Sequence, residues 1–198
     1  MTRIIAGLAS GTRLTVPDEG TRPTSERVRE AIFGALDARS LIDGARVVDL
    51  YAGSGALGLE AASRGAETVV LVERDRRATS VAQRNADAVA RSGATHALVD
   101  RASVAQYLQR TARTFDLAFL DPPYDLEPAE LSGALAALAP MLEHPAVVVV
   151  EQSKRQQLPD LPGDLELERT RDYGDTSVHF LATRGTVVDR AANGEAAI

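Results

Sequence analysis

The sequence predicts an α/β fold, with a doubly wound and mostly parallel sheet of seven strands that ends in an antiparallel hairpin. From Arg46 onward, short runs rich in Val and Leu alternate with helical stretches, which is typical of buried parallel strands joined by helices. A glycine-rich turn between Gly53 and Gly58 joins the first of these strands to a helix. After Glu151, two β-prone runs flank Tyr173-Gly174-Asp175, which is typical of a hairpin.

The composition is that of an acidic globular protein. A length of 198 residues with 44% hydrophobic content suits one main domain. The net charge of −6 argues against a protein that coats nucleic acid with its whole surface. The chain has no cysteine and its three histidines are scattered, so we expect neither disulfides nor a metal site. No apolar run approaches membrane-spanning length, so we expect a cytoplasmic protein without a membrane partner. We also expect a monomer.

The first 20 residues are predicted to form a small β-hairpin arm. Two β-prone runs, residues 3–7 and 13–16, flank a turn at residues 8–11. Such an arm either caps the sheet or holds a large substrate. Residues 21–184 are predicted to form the main domain, and the Ala- and Gly-rich residues 185–198 a poorly ordered tail.

A helix is predicted to follow Arg22-Pro23-Thr24, with Thr24 as its N-cap and Glu26 in its first turn. Its apolar positions recur at helical spacing and are Val28, Ala31, Ile32, Ala35 and Leu36. Arg27 and Arg29 lie off this apolar face, so we expect both to remain available to a partner.

The main domain is predicted to alternate five parallel strands with four helices. The predicted strands are residues 47–48, 69–72, 97–99, 117–120 and 147–150. The predicted helices are residues 56–64, 76–91, 103–110 and 128–142. The last helix carries an apolar stripe of Leu131, Leu135, Leu138 and Leu142, which we interpret as core.

The glycine-rich turn predicts a cofactor site. Asp49 ends the first strand, and Gly53, Gly55 and Gly58 form G-x-G-x-x-G at the entrance to the helix. Glycine tolerates positive φ and lacks a side chain, so the first two allow a tight turn beneath a ligand and the third allows close helix packing. Glu73, twenty positions after Gly53, could accept hydrogen bonds from ribose hydroxyls. By itself the motif does not distinguish nicotinamide, flavin and S-adenosylmethionine (AdoMet) cofactors.

Acidic residues are predicted at the ends of successive strands, where ligands of open α/β sheets bind. They are Asp49, Glu73, Asp100 and Asp121, with Glu151 on the fifth strand. These acids disfavour a pyrophosphate and favour a ligand rich in hydroxyls and amines. AdoMet is such a ligand, because it carries an amine, two ribose hydroxyls, an adenine amino group and a sulfonium cation.

The sequence Asp121-Pro122-Pro123-Tyr124 narrows the predicted chemistry. Tandem prolines stiffen the backbone and lack N–H groups, so nearby carbonyls can accept hydrogen bonds from a ligand. Asp121 adds an acceptor and Tyr124 adds a flat face, which together suit a planar base with an exocyclic amino group. Methyl transfer to that amine would depend mainly on positioning, which can supply about 7 to 11 kcal/mol.

At these residues the chain resembles class I AdoMet-dependent methyltransferases that act on nucleobase amino groups, and more closely the bacterial 16S rRNA guanine-N2 methyltransferases of the RsmD family. The resemblance covers roughly residues 3–183 and rests on R-I-I-A-G, R-P-T, R-V-R-E, D-L-Y-A-G-S-G-A-L-G-L-E, D-P-P-Y and Y-G-D-T. It implies a Rossmann-like class I fold, AdoMet as cofactor, and transfer to guanine N2 in 16S rRNA.

The resemblance also implies roles for individual residues. Those implied to receive guanine are Asp121, Pro122, Pro123 and Tyr124. Those implied to bind AdoMet are Thr24, Asp49, Ala52, Gly53, Ser54, Gly55, Glu73, Arg74, Asp100 and Arg101. Those implied to bind RNA are Arg3, Arg13, Arg22 and Arg27. The chain departs from the family pattern at Thr12, where relatives are expected to be basic.

Three other functions remain open at this point. An adenine-N6 or cytosine-N4 DNA methyltransferase would use the same D-P-P-Y, but the sequence shows no evident target-recognition domain. An NAD-dependent oxidoreductase is disfavoured because the sequence offers no second catalytic domain. A non-catalytic RNA chaperone would have no use for a cofactor pocket. For an rRNA methyltransferase, the small domain and weak basic patch predict a 30S subunit or assembly intermediate as substrate.

Overall fold

The computed structural model describes residues 2–16 and 26–185. The predicted N-cap Thr24, its neighbour Arg22 and most of the predicted tail lie outside the described residues. Within the described ranges, no helix combines the length and the apolar character that crossing a membrane requires.

The predicted N-terminal hairpin is present. Strands β1 (Thr2–Arg3) and β2 (Arg13–Leu14) pair antiparallel in a separate two-stranded sheet. Both strands are shorter than predicted. After β1, the amides of Ile5 and Ala6 donate to the Glu60 carboxylate of the main domain at 2.7 and 3.0 Å, and after β2 the Thr15 amide donates to Asn85 Oδ1 at 2.9 Å. The arm is therefore fastened to the main domain immediately after its first strand.

Helix α1 (Glu26–Asp37) follows, and the prediction that Arg29 remains available to a partner is wrong. Arg29 is only 1% exposed, and its Nη2 donates to the Arg3 carbonyl at 2.9 Å. Burial lowers the pKa of Arg29, while the charges of Glu60 and Glu26 oppose that shift. Arg27 is exposed, as predicted. The arm thus covers a side of α1 that the spacing of its apolar residues predicts to be exposed to solvent.

The main sheet has seven strands and confirms the predicted architecture. They are β3 (Arg46–Leu50), β4 (Thr68–Val72), β5 (Leu98–Asp100), β6 (Phe115–Leu120), β7 (Leu142–Ser153), β8 (Leu165–Tyr173) and β9 (Thr176–Thr183). Their order is β5-β4-β3-β6-β7-β9-β8, with β3 to β7 parallel and β9 antiparallel to both of its neighbours. Glu151 does not end its strand as predicted, since it pairs with Val178 and β7 continues to Ser153.

Four further helices connect the strands. They are α2 (Ala56–Ser63), α3 (Arg76–Ala90), α4 (Val104–Arg110) and α5 (Pro128–Leu138). The predicted extension of α5 to residue 142 is wrong, because a 3₁₀ turn at Ala139–Met141 contains Pro140, which lacks an N–H for helical bonding. Leu142 is consequently buried as the first residue of β7, whereas Leu131, Leu135 and Leu138 form the predicted apolar stripe.

The core lies on both faces of the sheet. Successive side chains of a strand point to opposite faces, and β3 shows this directly. Val47 belongs to the cluster that includes Phe33 of α1, while Val48 belongs to the cluster that includes Leu135 of α5. Burial on both faces explains the near-continuous apolar runs of the central strands, and it leaves their carboxyl ends as the edge where a ligand can bind.

Candidate active site

A cavity of about 550 Å³ lies at the carboxyl ends of β3, β4 and β6, and we call it the strand-end cavity. It is lined by residues of the glycine turn, of the end of β4 and of D-P-P-Y. The predicted site residues that it brings together are Asp49, Ala52, Gly53, Ser54, Glu73, Arg74, Asp121, Pro122, Pro123 and Tyr124. The predicted cofactor and acceptor residues thus share one cavity.

Three of the predicted cofactor residues that the structure describes are not among those lining the strand-end cavity. Gly55 is the N-cap of α2 and has a φ of 82°. An added Cβ would lie 2.8 Å from Leu71 Cδ1, so a glycine at this position allows the turn to pack against β4. The Asp100 carboxylate pairs with Arg110 of α4, and Arg101 is exposed. The next residues, Ala102 to Val104, do line the cavity. A role for Asp100 and Arg101 in binding adenine stays a prediction.

Asp49 is the most strongly perturbed acid of the strand-end cavity. It is 1% exposed, and its Oδ2 accepts a 2.9 Å hydrogen bond from the Gly58 amide. Its Oδ1 is buried without a hydrogen-bond partner among the described residues. Burial raises the pKa of Asp49 to about 8; the Gly58 bond opposes the shift, and the charges of Asp121 and Glu73 add to it. A cationic ligand group at Oδ1 would satisfy this carboxylate.

Glu73 has a structural role that the sequence analysis missed. Its Oε2 accepts from the Gly53 amide at 2.9 Å and its Oε1 from the Asp75 amide at 2.7 Å. The carboxylate therefore ties the glycine turn after β3 to the turn after β4. Each carboxylate oxygen can accept more than one hydrogen bond, so these contacts are compatible with the predicted ribose interaction.

Tyr51 is a cavity residue that the sequence analysis did not select. It adopts a φ of 70°, which is rare for a residue with a side chain. Its hydroxyl is buried and finds no hydrogen-bond partner within the described part of the chain. Burial raises its pKa to about 12, with a smaller contribution from the charge of Glu130 and an opposing one from Arg74. The neutral hydroxyl is available to donate to or accept from a ligand.

The charge of the strand-end cavity fits a cationic ligand rich in amines and hydroxyls. Arg74 is the one basic residue among its described lining. The acids that line it are Asp49, Glu73, Asp75, Asp121, Asp125 and Glu130. This balance disfavours a phosphate group, and the buried Asp49 Oδ1 and Tyr51 hydroxyl offer polar atoms that such a ligand would pair. The residues therefore fit AdoMet, whose amine and hydroxyls complement them.

The arm reaches the edge of the strand-end cavity. Thr15 exchanges two 2.9 Å hydrogen bonds with the side-chain amide of Asn85 in α3, and Val16 lines the cavity. Of the arginines predicted to bind RNA, Arg13 is exposed, whereas Arg3 is exposed but paired with Glu26 at 2.9 Å. The arm thus extends from the exposed Arg13 to the edge of the cavity.

Similarity to known proteins identifies the family. Residues 2–182 match the family model described as "Conserved hypothetical protein 95". The ribosomal RNA small subunit methyltransferase D of Escherichia coli (strain K12) is 36% identical over 173 residues, which cover 87% of this chain and 85% of that relative. The chain belongs to the RsmD family.

Another curated relative and a solved structure also match this chain over most of their own length. The ribosomal RNA small subunit methyltransferase D of Haemophilus influenzae is 35% identical over 159 residues, covering 79% of this chain and 81% of that relative. A solved structure of a hypothetical protein of Thermus thermophilus superposes with a TM-score of 0.77 at 35% identity, covering 91% of this chain and 98% of that one. The Rossmann-like class I methyltransferase fold implied by the sequence is confirmed, and AdoMet is the cofactor of this class.

Proposed function

We propose that this RsmD-family protein transfers a methyl group from AdoMet to the exocyclic N2 of a guanine in 16S rRNA of the small subunit. The observation that carries the proposal is the strand-end cavity, in which the buried carboxylate of Asp49 and the D-P-P-Y segment line one space. A methyl donor bound by Asp49 and a planar amine bound by D-P-P-Y would lie next to each other in this cavity. The names of the E. coli and H. influenzae relatives support small-subunit rRNA as the substrate.

AdoMet, when bound, supplies the activated methyl group. Asp49 would accept from its amine through the unpartnered Oδ1, and Glu73 would accept from its ribose hydroxyls. Gly53 has a φ of 55° and open space where a Cβ would stand, so its backbone can approach the ligand closely. These carboxylates and backbone groups would bind and orient the donor.

The acceptor guanine would be held by D-P-P-Y. Asp121 would accept one N2–H bond, and the other would go to a backbone carbonyl of the proline pair. The Pro123 carbonyl already accepts from the Leu126 amide at 2.9 Å, so the Pro122 carbonyl is the better candidate. Tyr124 is 54% exposed and presents a ring on which the base can stack. Asp121 or water would take the proton that N2 releases.

The arm and the size of the domain point to an assembled particle as substrate. We propose that residues 1–20 form the RNA-holding arm, residues 21–184 the catalytic domain and residues 185–198 a tail. Arg3 and Arg13 would contact phosphates, and Arg22 and Arg27 are predicted to contribute further phosphate contacts. So few basic residues would bind protein-free rRNA weakly. We propose that a monomer in the cytoplasm therefore acts on a 30S subunit or assembly intermediate, which offers additional surface for contact.

Labelled-methyl transfer to small subunits that lack the modification tests the proposal. We expect N2-methylguanosine in nucleoside digests of 16S rRNA, and faster transfer to subunits than to protein-free rRNA. N6-methyladenine or N4-methylcytosine in a DNA substrate would instead support a DNA methyltransferase. Calorimetric titration with AdoMet and with NAD separates the cofactors, since binding of NAD alone would contradict the assignment of the glycine turn.

A further inference from the structure

A second cavity, of about 720 Å³, adjoins the strand-end cavity, and we call it the α5 cavity. It lies between the N-terminal part of α5 and the segment that follows β7. Pro122 and Pro123 line both cavities, whereas Asp121 and Tyr124 line the strand-end cavity alone. The two prolines therefore form a shared wall, with the proposed methyl-transfer site on one side and the α5 cavity on the other.

Gln152 lies at the wall of the α5 cavity and carries an unsatisfied polar atom. It lies in β7, lines the cavity and is 6% exposed. Its side-chain Oε1 is buried and has no hydrogen-bond partner among the described residues. Buried amide oxygens are nearly always paired in native proteins, so an unpaired one at a cavity wall indicates a ligand that donates a hydrogen bond. The amino groups and ring N–H groups of nucleobases are such donors.

The charged rim of the α5 cavity adds a second contact. Arg155 is exposed and lines the cavity, and its guanidinium makes no ion pair with any described residue. Its neighbour Lys154, by contrast, is held by Asp172 at 2.8 Å. Asp160 is the one acid in the described lining. A planar guanidinium next to an apolar wall of proline and leucine side chains suits a nucleotide, with phosphate at Arg155 and the base against the wall.

We propose that the α5 cavity binds the nucleotide that neighbours the target guanine in the rRNA strand, with Gln152 contacting its base and Arg155 its phosphate. This assignment rests on the proposed function. The target base itself must enter the strand-end cavity, where Asp121 and Tyr124 lie. A nucleotide adjacent to the target in the same strand would then lie on the far side of the proline wall.

A hydrogen-bond chain connects the α5 cavity to the proposed transfer site. Gln156 lines the α5 cavity, and its Nε2 donates to the Tyr124 carbonyl at 3.0 Å. Its Oε1 accepts from the Ser153 amide at 3.2 Å, at the end of β7. A nucleotide seated between Gln152 and Arg155 therefore contacts the segment that positions Tyr124. Recognition of the neighbour is coupled in this way to placement of the target base.

Gln152→Met tests the base contact, because it removes the amide while keeping the side chain close in size. We expect about a 10-fold loss of kcat/KM on small subunits, carried by KM, with AdoMet affinity unchanged and the thermal midpoint not lowered. Subunits reconstituted with each base on either side of the target extend the test. The wild type should discriminate at one of these two positions and the variant should not. Equal discrimination by both proteins would overturn the contact.

Site-directed crosslinking locates the bound strand independently of turnover. The chain has no cysteine, so Gln157→Cys, at the exposed rim of the α5 cavity, can carry a single photoreactive label. We expect its crosslink at a nucleotide adjacent to the methylated guanine. Arg84→Cys on α3, which packs toward the opposite edge of the sheet, is the matched control and should not crosslink there.

The outcomes separate the two proposals. If the wild type methylates no guanine of the subunit, the proposed function fails and the assignment of the α5 cavity fails with it. If the wild type methylates its guanine but the Gln157→Cys label crosslinks elsewhere in the rRNA, or to a ribosomal protein, only the assignment of the α5 cavity fails.

Discussion

The backbone amide of Gly58 donates a 2.9 Å hydrogen bond to Oδ2 of Asp49, while Oδ1 of the same carboxylate is buried without a partner among the described residues. Glycine makes this contact possible, because a Cβ on Gly58 would lie 3.2 Å from Asp49 Cβ and 2.3 Å from Leu71 Cδ2. Helix α2 can therefore approach β3 closely enough to hold one oxygen of the acid and leave the other for a ligand.

AdoMet binding should release a proton from Asp49 near neutral pH. The pKa of Asp49 in the empty protein is about 8, so the carboxyl is mostly protonated at pH 7. A cationic amine at Oδ1 favours the ionised form, so we expect AdoMet affinity to rise between about pH 6 and pH 8. Calorimetry in two buffers of different ionisation enthalpy measures the released proton. Asp49→Asn should bind weakly and release none, and release equal to wild type would assign the proton to another group.

Asp49 should also make the empty protein less stable as pH rises. Its folded pKa of about 8 exceeds the ordinary value of 3.8, so the folded state binds more protons between those values. The stability that the protonated carboxyl contributes is present in full below about pH 4 and is lost as pH rises through 8. Asp49→Asn removes this dependence, so its thermal midpoint should exceed that of the wild type increasingly toward pH 8. A constant difference between the two proteins across that window would contradict the assignment.

Asp121→Ala should abolish methyl transfer while leaving AdoMet affinity nearly intact. The variant loses a proposed acceptor for the guanine amine, and we expect at least a ~100-fold loss of kcat. It also removes a charge that raises the pKa of Asp49, so the donor site is not weakened at pH 7. Single-turnover transfer and calorimetry measure the two effects. Glu127→Ala is the control, because Glu127 is exposed and its side chain makes no capping hydrogen bond to α5. A large loss of AdoMet binding by Asp121→Ala would mean that Asp121 contacts the cofactor and not the guanine.

The parts of the fold that the sequence predicted well are those set by local patterns. Valine-rich runs located the buried strands, and G-x-G-x-x-G and D-P-P-Y located segments that the structure brings to one cavity. Pro140 is a sequence signal for the end of α5, but the leucine spacing continues past it to Leu142 and so predicts a longer helix. Helical periodicity cannot distinguish a helix residue from the first residue of a following strand when both are buried.

The features that the sequence did not reveal depend on residues far apart in the chain. Arg29 is buried because the Arg3 carbonyl, 26 positions away, accepts its hydrogen bond. Glu60 is fully buried because the arm brings the amides of Ile5 and Ala6 to its carboxylate. A charged residue on a predicted helix is ordinarily read as solvent-facing. Only the docked arm shows that these charges are internal.

Loss of Arg13 should weaken RNA binding more than loss of Arg3. Arg13 is exposed, whereas the Arg3 guanidinium is already paired with Glu26 at 2.9 Å. Removal of one phosphate contact should lower the slope of log affinity against log salt by about 0.7 to 0.9. Filter binding of small-subunit rRNA fragments at several salt concentrations measures the slope for Arg3→Ala, Arg13→Ala and the pair. Arg84→Ala is the charge-matched control. An unchanged salt slope in the double variant would contradict the proposal that the arm contacts RNA.

Gly7→Ala should detach the arm from α2, and Gly11→Ala supplies a matched control for backbone strain. Both glycines have φ near +80°, but a Cβ on Gly7 would lie 1.9 Å from the Ser63 carbonyl oxygen while one on Gly11 meets nothing within 4 Å. The Ser63 carbonyl and hydroxyl hold the arm by accepting from the amides of Leu8 and Ala9 at 2.8 and 2.9 Å. We expect Gly11→Ala to lower the free energy of unfolding by about 1 kcal/mol through backbone strain, and Gly7→Ala to lower it by about 1 to 3 kcal/mol more, as measured by urea unfolding.

Gly7→Ala should also weaken binding to small subunits while AdoMet affinity is retained, because the cavity acids lie in the main domain. Equal destabilisation by the two substitutions would mean that the contact with Ser63 does not hold the arm in place.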